Sequence, residues 1–261
     1  MLKFYKPARD KSIHQRGYFS YILEGVIHIQ NVFLNHPNKD IKVYFDLEDI
    51  FGYGKGNIYD YCFLQDKDDW LADKQSYKNI ELLPLLTNVN VYNKQTLTKE
   101  NLKMTEKIIK DFFELNSEMK SLFKSRLKGI DLKKTIGFHR RATDMNFVHH
   151  VTTIQLSQIF DILEKEEFEN IFLMSDNISD TRKFQERYGS KLITFDELSS
   201  NDEKLPFFKQ KNDEEAMKKH VQEIVFGALT LGKTKKLICT MSNLSSFSIL
   251  SNSKLNYLRL N

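Results

Sequence analysis

The residues with most chemistry to offer crowd between Thr135 and Val151, in TIGFHRRATDMNFVHHV. His139, Arg140, Arg141, Thr143, Asp144, His149 and His150 fall within a dozen positions there. The apolar run Ile136-Gly137-Phe138 just ahead of them reads as a buried strand. Arginines at a strand end suit an anion, because guanidinium forks match phosphate oxygens with paired hydrogen bonds. The helix that follows such a strand adds free N–H groups and a positive dipole end. The competing reading pairs Arg140 and Arg141 with Asp144 or leaves them solvated, as most surface charges are. His149 and His150 titrate near neutrality, so either suits proton abstraction, and Asp144 is a carboxylate alternative.

A regular pattern positions these residues. Strands are predicted at Ile136–Phe138, Ile171–Met174, Leu192–Phe195, Leu237–Thr240 and Leu255–Leu260. Helices fall between them at Thr153–Glu167, Ser179–Tyr188, Asp213–Leu231 and about Ser245–Leu250, with Asn212 and Glu215 spaced as a capping box. Alternating strands and helices with apolar strand runs predict an α/β fold whose second lobe is a doubly wound parallel sheet. Upstream, Leu2–Tyr5 and Ile41–Phe45 are strand candidates. A helix carrying Phe19, Ile22, Leu23, Val26, Ile27 and Phe33 lies between them. Gly17, beside Arg16, opens that helix and either lets a ligand approach the backbone or only caps the helix. Thr98 to Leu127 predicts one long helix of about 45 Å, long enough to bridge two lobes. The lobe boundary falls in the charged segment Lys124–Lys134, which divides the chain into residues 1–125 and 126–261.

Composition narrows the function classes. The chain has 261 residues, 41% hydrophobic and 28% charged, an ordinary globular balance. The formal charge is +4 without a concentrated basic block, so nucleic acid is not an expected partner. A mild positive balance does suit a phosphorylated substrate and peripheral association with an anionic membrane surface. Cys62 and Cys239 are too isolated for a disulfide framework or a zinc site. Neither a leader-like opening nor an 18-residue apolar run is present, so the expected location is the cytoplasm, including the inner face of the membrane.

Three motifs are set aside. The glycines of FGYGKGN (Phe51–Asn57) lack the spacing of a dinucleotide fingerprint. The Asp-x-Asp within Asp66–Asp69 reads as a solvated loop, not a metal site. Gly227-Ala-Leu-Thr-Leu-Gly232-Lys233-Thr234 fits the P-loop letters, but a helical pattern precedes it and a strand follows, the reverse of what a P-loop needs. Gly232 is then expected as a helix C-cap and Lys233 as a dipole-favoured cation.

GFHRRATDM resembles the His-x-Arg-x-Thr-Asp segment of the fucosyltransferase-like glycosyltransferases, with His139, Arg141, Thr143 and Asp144 on its positions and Arg140 in the variable place. This superfamily includes the bacterial α-1,2 and nodulation α-1,6 fucosyltransferases and the protein O-fucosyltransferases. IFLMSDNISDTRKFQERYG is similar to the family's strand ending in Ser-Asp, with Ser175 and Asp176 matching. LICTMSNLSSFSIL is similar to its Ser/Thr-rich turn, with Thr240, Ser242, Ser245, Ser246 and Ser248 as candidates. RGYFSYILEGV, with Arg16 and Gly17, resembles the turn and helix near the N-terminus of these enzymes.

The resemblance implies two Rossmann-like lobes in the GT-B arrangement, an acceptor-side lobe and a lobe that binds a nucleotide-sugar. It implies an inverting transferase that uses a GDP-sugar as donor substrate, with no further cofactor and no metal, and a glycan or lipid-linked glycan as acceptor. Arg141, assisted by Arg140 and the helix N-terminus at Ser245–Ser246, would then stabilise the leaving β-phosphate. Asp144, His149 or His150 would take the acceptor's proton. His139 would orient the loop, bind a phosphate or serve structure alone. Asp176 would hold ribose or sugar hydroxyls or cap its helix, and Asp196 would face the guanosine. The alternative is a protein of the same fold that binds a nucleotide-sugar or glycan without turnover.

Overall fold

Parallel strand pairing organises both halves of the chain. The computed structural model describes residues 2–6, 17–36, 41–47, 56–65, 81–82, 99–141, 154–195, 214–240 and 242–260. Arg16, Thr143, Asp144, His149, His150, Asp196, Asn212 and the run Asp66–Asp69 lie outside them. Two compact units emerge, one of Met1–Arg126 with Asp213–Lys218, the other of Leu127–Asn212 with Lys219–Asn261. No single cut along the sequence makes that division. Among the described residues, no helix is long and apolar enough to cross a membrane.

In the first unit, β1 (Leu2–Lys6) lies between β2 (Ile41–Phe45) and β3 (Glu81–Leu82), all parallel. α1 (Tyr18–Asn35) joins β1 to β2 and buries Phe19, Ile22, Leu23 and Val26, as the apolar spacing predicts. Gly17 is its N-cap at φ −68°, a conformation open to any residue. The core is aromatic. Phe45 stacks on Tyr59 at 4.8 Å between centroids and tilts against Phe113 at 5.3 Å. Gly25 lets α1 pass this cluster, since a Cβ there would lie 2.2 Å from the Phe45 ring. The Gln65 side chain accepts from the Phe45 N–H at 2.8 Å and donates to its carbonyl at 3.1 Å, so a side-chain amide extends the edge of β2.

The expected long helix is two helices, α3 (Lys99–Phe112) and α4 (Ser117–Arg126). Residues between them pair with the end of the short helix α2 (Ile58–Cys62). The Leu64 N–H donates to the Glu114 carbonyl, and the Asn116 N–H donates to that of Cys62. Asn116 Oδ1 then accepts from the Met119 N–H at 2.9 Å and starts a new helix. Periodicity cannot reveal such a break, because Leu115 and Met119 stay buried on both sides of it.

The second unit is a five-stranded sheet, parallel as predicted, in the order β6-β5-β4-β7-β8. Its strands are β4 (Thr135–Arg140), β5 (Asn170–Ser175), β6 (Leu192–Thr194), β7 (Lys236–Thr240) and β8 (Tyr257–Leu260). The helices are α5 (Leu156–Leu163), α6 (Ile178–Tyr188), α7 (Glu214–Leu231) and α8 (Asn243–Leu250). Ile136 and Phe138 of β4 join a buried cluster with Ile159 and Leu163 of α5 and Phe184 of α6. Gly137 faces the other side, where a Cβ would lie 2.7 Å from Thr234 Oγ1 and 2.9 Å from Leu231 at the end of α7.

Gly227 lies inside α7 and β7 follows Gly232, so the P-loop context is indeed inverted. Gly232 directly follows α7, as expected of a C-cap, and its N–H donates to the Ala228 carbonyl at 3.1 Å, but without the left-handed backbone that commonly marks a cap. Among the described residues, positive φ occurs at Gly56, Gly129 and Gly189. The glycine instead admits α8, because a Cβ would lie 2.5 Å from Ser251 Oγ and 3.0 Å from the Ser248 carbonyl.

Gly25→Ala should destabilise the chain by about 1–3 kcal/mol, because Phe45 is held between Tyr59 and Phe113 and has nowhere to go. A fall in urea midpoint with an unchanged slope is the expected result.

Candidate functional site

The sheet order locates a site before any side chain is considered. The chain runs outward from β4 to β5 and β6, then crosses back to β7 and β8 on the other flank. The connections after β4 and β7 therefore part in opposite directions and leave a crevice at the strands' carboxyl ends, where open α/β sheets bind ligands. Into it run His139 and Arg141 from the end of β4, and Thr240 and the N-terminus of α8 from β7.

The two-residue period of a strand separates the two arginines. Arg140 shares the Phe138 face and turns to α6, where its Nε lies 3.2 Å from Asp180 Oδ2 in a pair about nine-tenths buried. It therefore does not stand beside Arg141, as its expected assisting role would require. Arg141 has its N–H on Thr240 Oγ1 at 2.8 Å and its Nε 3.3 Å from Asp176 Oδ2. It spans the ends of β7 and β5 while its side chain remains a quarter exposed.

His139 lies on the Gly137 face. Its Nδ1 is 3.3 Å from Ser242 Oγ, and burial, reinforced by the Arg141 charge, lowers its pKa to about 3. A neutral ring brings no cation to a phosphate; it ties β4 to α8. That helix starts two residues earlier than the sequence pattern suggested, with Ser242 as N-cap. Ser242 Oγ accepts from the Ser245 N–H, and Ser245 Oγ accepts from the Ser242 N–H and reaches the Thr240 carbonyl at 3.0 Å. Ser246 and Ser248 are buried within the same helix. Thr240 and Ser245 therefore position Arg141 and the cap.

Across β4, Ser175 is in register with Arg140, and its Oγ accepts from the Asn177 N–H at 3.1 Å. Asn177, not Asp176, caps α6, accepting from the N–H groups of Ser179 and Asp180. Asp176 is thereby left for Arg141.

Two residues escaped the sequence reading. Asp180 lies four positions beyond Asp176, a spacing that marks nothing until β4 is placed opposite it. His220 lies on α7, seven residues or about 10 Å before Gly227, which rests against Met174 at the level of His139. The stripe of α7 that packs on the sheet thus continues past its edge, and burial, reinforced by the Arg141 charge, lowers the His220 pKa to about 3. A helical count back from Gly227 was the available signal. Among the described residues no cluster of three or more His, Cys, Asp or Glu side chains could hold a metal.

No protein-family model and no curated protein sequence matches the chain. Solved structures do. The α-1,6-fucosyltransferase NodZ soaked with GDP-fucose aligns with a TM-score of 0.58 at 11% identity, over 97% of this chain and 93% of that one. NodZ from Bradyrhizobium aligns at 0.54 and 10% identity, over 97% and 94%. Arabidopsis thaliana FUT1, as a variant in complex with GDP, aligns at 0.54 and 11% identity, over 100% and 71%. The fold is that of the fucosyltransferases. Within this fucosyltransferase fold, the crevice between β4 and β7 gathers His139, Arg141, Thr240, Ser242 and Ser245, with Asp176 reaching Arg141 from β5.

The adjacent arginines should respond differently to mutation. Arg140→Ala leaves the Asp180 charge buried and should cost about 3–5 kcal/mol of stability in urea unfolding. Arg141→Ala removes a partly exposed pair and should cost about 1 kcal/mol or less.

His139 should make stability depend on pH. Its folded pKa, about 3, lies below the unfolded value near 6.5, so the unfolded chain binds the extra proton between them. Stability should therefore fall as pH drops from about 6.5 towards 3, by up to about 1.4 kcal/mol per pH unit from this group. In His139→Gln that contribution disappears, so the stability gap between parent and variant should narrow on acidification.

Proposed function

We propose that the chain is a GDP-sugar-dependent glycosyltransferase, moving fucose or a related sugar to a glycan or lipid-linked glycan with inversion and without a metal. One observation carries the reading. Arg141 is anchored through its backbone and its Nε at the switch point of a fucosyltransferase fold, with its guanidinium still open to solvent. Solved examples of that fold include one soaked with GDP-fucose and one in complex with GDP.

Transfer breaks the bond between the anomeric carbon and the β-phosphate oxygen and leaves the electron pair on that oxygen. Arg141 and the N-terminal dipole of α8 are preorganised to hold the developing charge, which is the largest contribution a protein without a metal can make. The acceptor hydroxyl attacks from the opposite face of the sugar and gives its proton to Asp144, His149 or His150. Asp176 turns to ribose or sugar hydroxyls once the diphosphate occupies Arg141, and Asp196 faces the guanosine. Thr143 contributes to donor binding.

GDP should raise the melting temperature, and Arg141→Ala should weaken GDP about 10- to 150-fold, the loss of a charge-assisted hydrogen bond of about 1.5–3 kcal/mol. Equal GDP affinity in parent and variant would remove the assignment. Transfer, and the slow hydrolysis of GDP-fucose that separates an enzyme from a binder, should both survive EDTA. Abolition by the chelator with rescue by manganese would move the catalytic weight to Asp66 and Asp68.

A further inference from the structure

Arg140 and Asp180 form an ion pair that stability does not explain. Both side chains are about nine-tenths buried, and the Nε to Oδ2 distance is 3.2 Å. Yet no hydrogen bond reaches the buried Nε or Nη1 of Arg140. Withdrawing two charges from water costs about as much as their attraction returns, and apolar residues of similar volume generally do as well or better there. The pair has to be understood through what it holds.

It holds the turn between β5 and α6. Arg140 and Arg141 are consecutive, and their partners Asp180 and Asp176 are four residues apart across that turn. Between them, Asn177 caps α6 and Ser175 braces the Asn177 N–H. The end of β4 is thus joined to one turn by two ion pairs. Only the outer pair, Arg141 with Asp176, is open to solvent and to a ligand. We propose that Arg140 and Asp180 are positioning residues, fixing the turn so that Asp176 meets and aims Arg141. This role rests on Arg141 being the diphosphate ligand, and it assigns Arg140 an indirect part in donor binding without contact to the donor. A guanidinium aimed in advance binds more tightly than one that must be ordered on binding.

The test replaces both partners, Arg140→Met with Asp180→Leu, so that no charge is stranded. The melting temperature should be unchanged or higher. Amide exchange over residues 139–141 and 175–180 should quicken about tenfold, and GDP affinity should fall about tenfold. Arg140→Lys, which keeps the charge, should restore part of the affinity. A double variant with parental exchange, or with parental GDP affinity where Arg141→Ala has lost it, overturns the proposal. If the parent chain itself binds no GDP, the functional reading falls, and exchange at Arg141 and Asp176 alone decides the positioning role.

Discussion

The alternation of side chains along β4 is the constraint on which the candidate site depends. This central strand carries three ionisable residues in succession, His139, Arg140 and Arg141, to the edge of a sheet covered on both faces. A strand offers only two directions, so neighbours in sequence become opposites in space. Arg140 is driven into the layer of α6, where it needs a carboxylate. His139 goes to the layer of α7 and α8, where burial disfavours its protonation. Arg141, the first residue beyond the ladder, is free to bond sideways to Thr240 and Asp176.

The electrostatics follow from that sorting. A neutral His139 and a paired Arg140 leave Arg141 as the cation aimed at the crevice from β4. Its field reaches both His139 and His220 and disfavours their protonation. Among the described residues of this crevice, the positive character lies in the Arg141 guanidinium and the N-terminus of α8. This placement matters to a reaction that places new negative charge on a single oxygen, because fixed dipoles need not reorganise as the charge appears.

Close approach, more than hydrophobicity, sets where the helices lie. Gly137 admits the end of α7, Gly227 lets α7 rest on Met174, and Gly232 admits α8. At these three positions the backbone is ordinary and the missing Cβ is the point. The placement of His220 and of the Ser242 cap beside β4 depends on them, since one methyl group at any of the three would collide with its neighbour.

The sequence by itself determined the second unit almost completely. Apolar runs alternating with helical stripes sufficed for a parallel sheet, because burial on both faces leaves an unmistakable pattern. Local rules also carried the resemblance of the residues at the end of β4. Tertiary structure decided the rest. One helix predicted from Thr98 to Leu127 became two, because Asn116 and Glu114 found partners fifty residues away. Asp180 and His220 stayed invisible, since their relevance comes from elements that meet only on folding. The division of labour between Arg140 and Arg141 was equally hidden. Their letters are identical, and only the two faces of a folded sheet tell them apart.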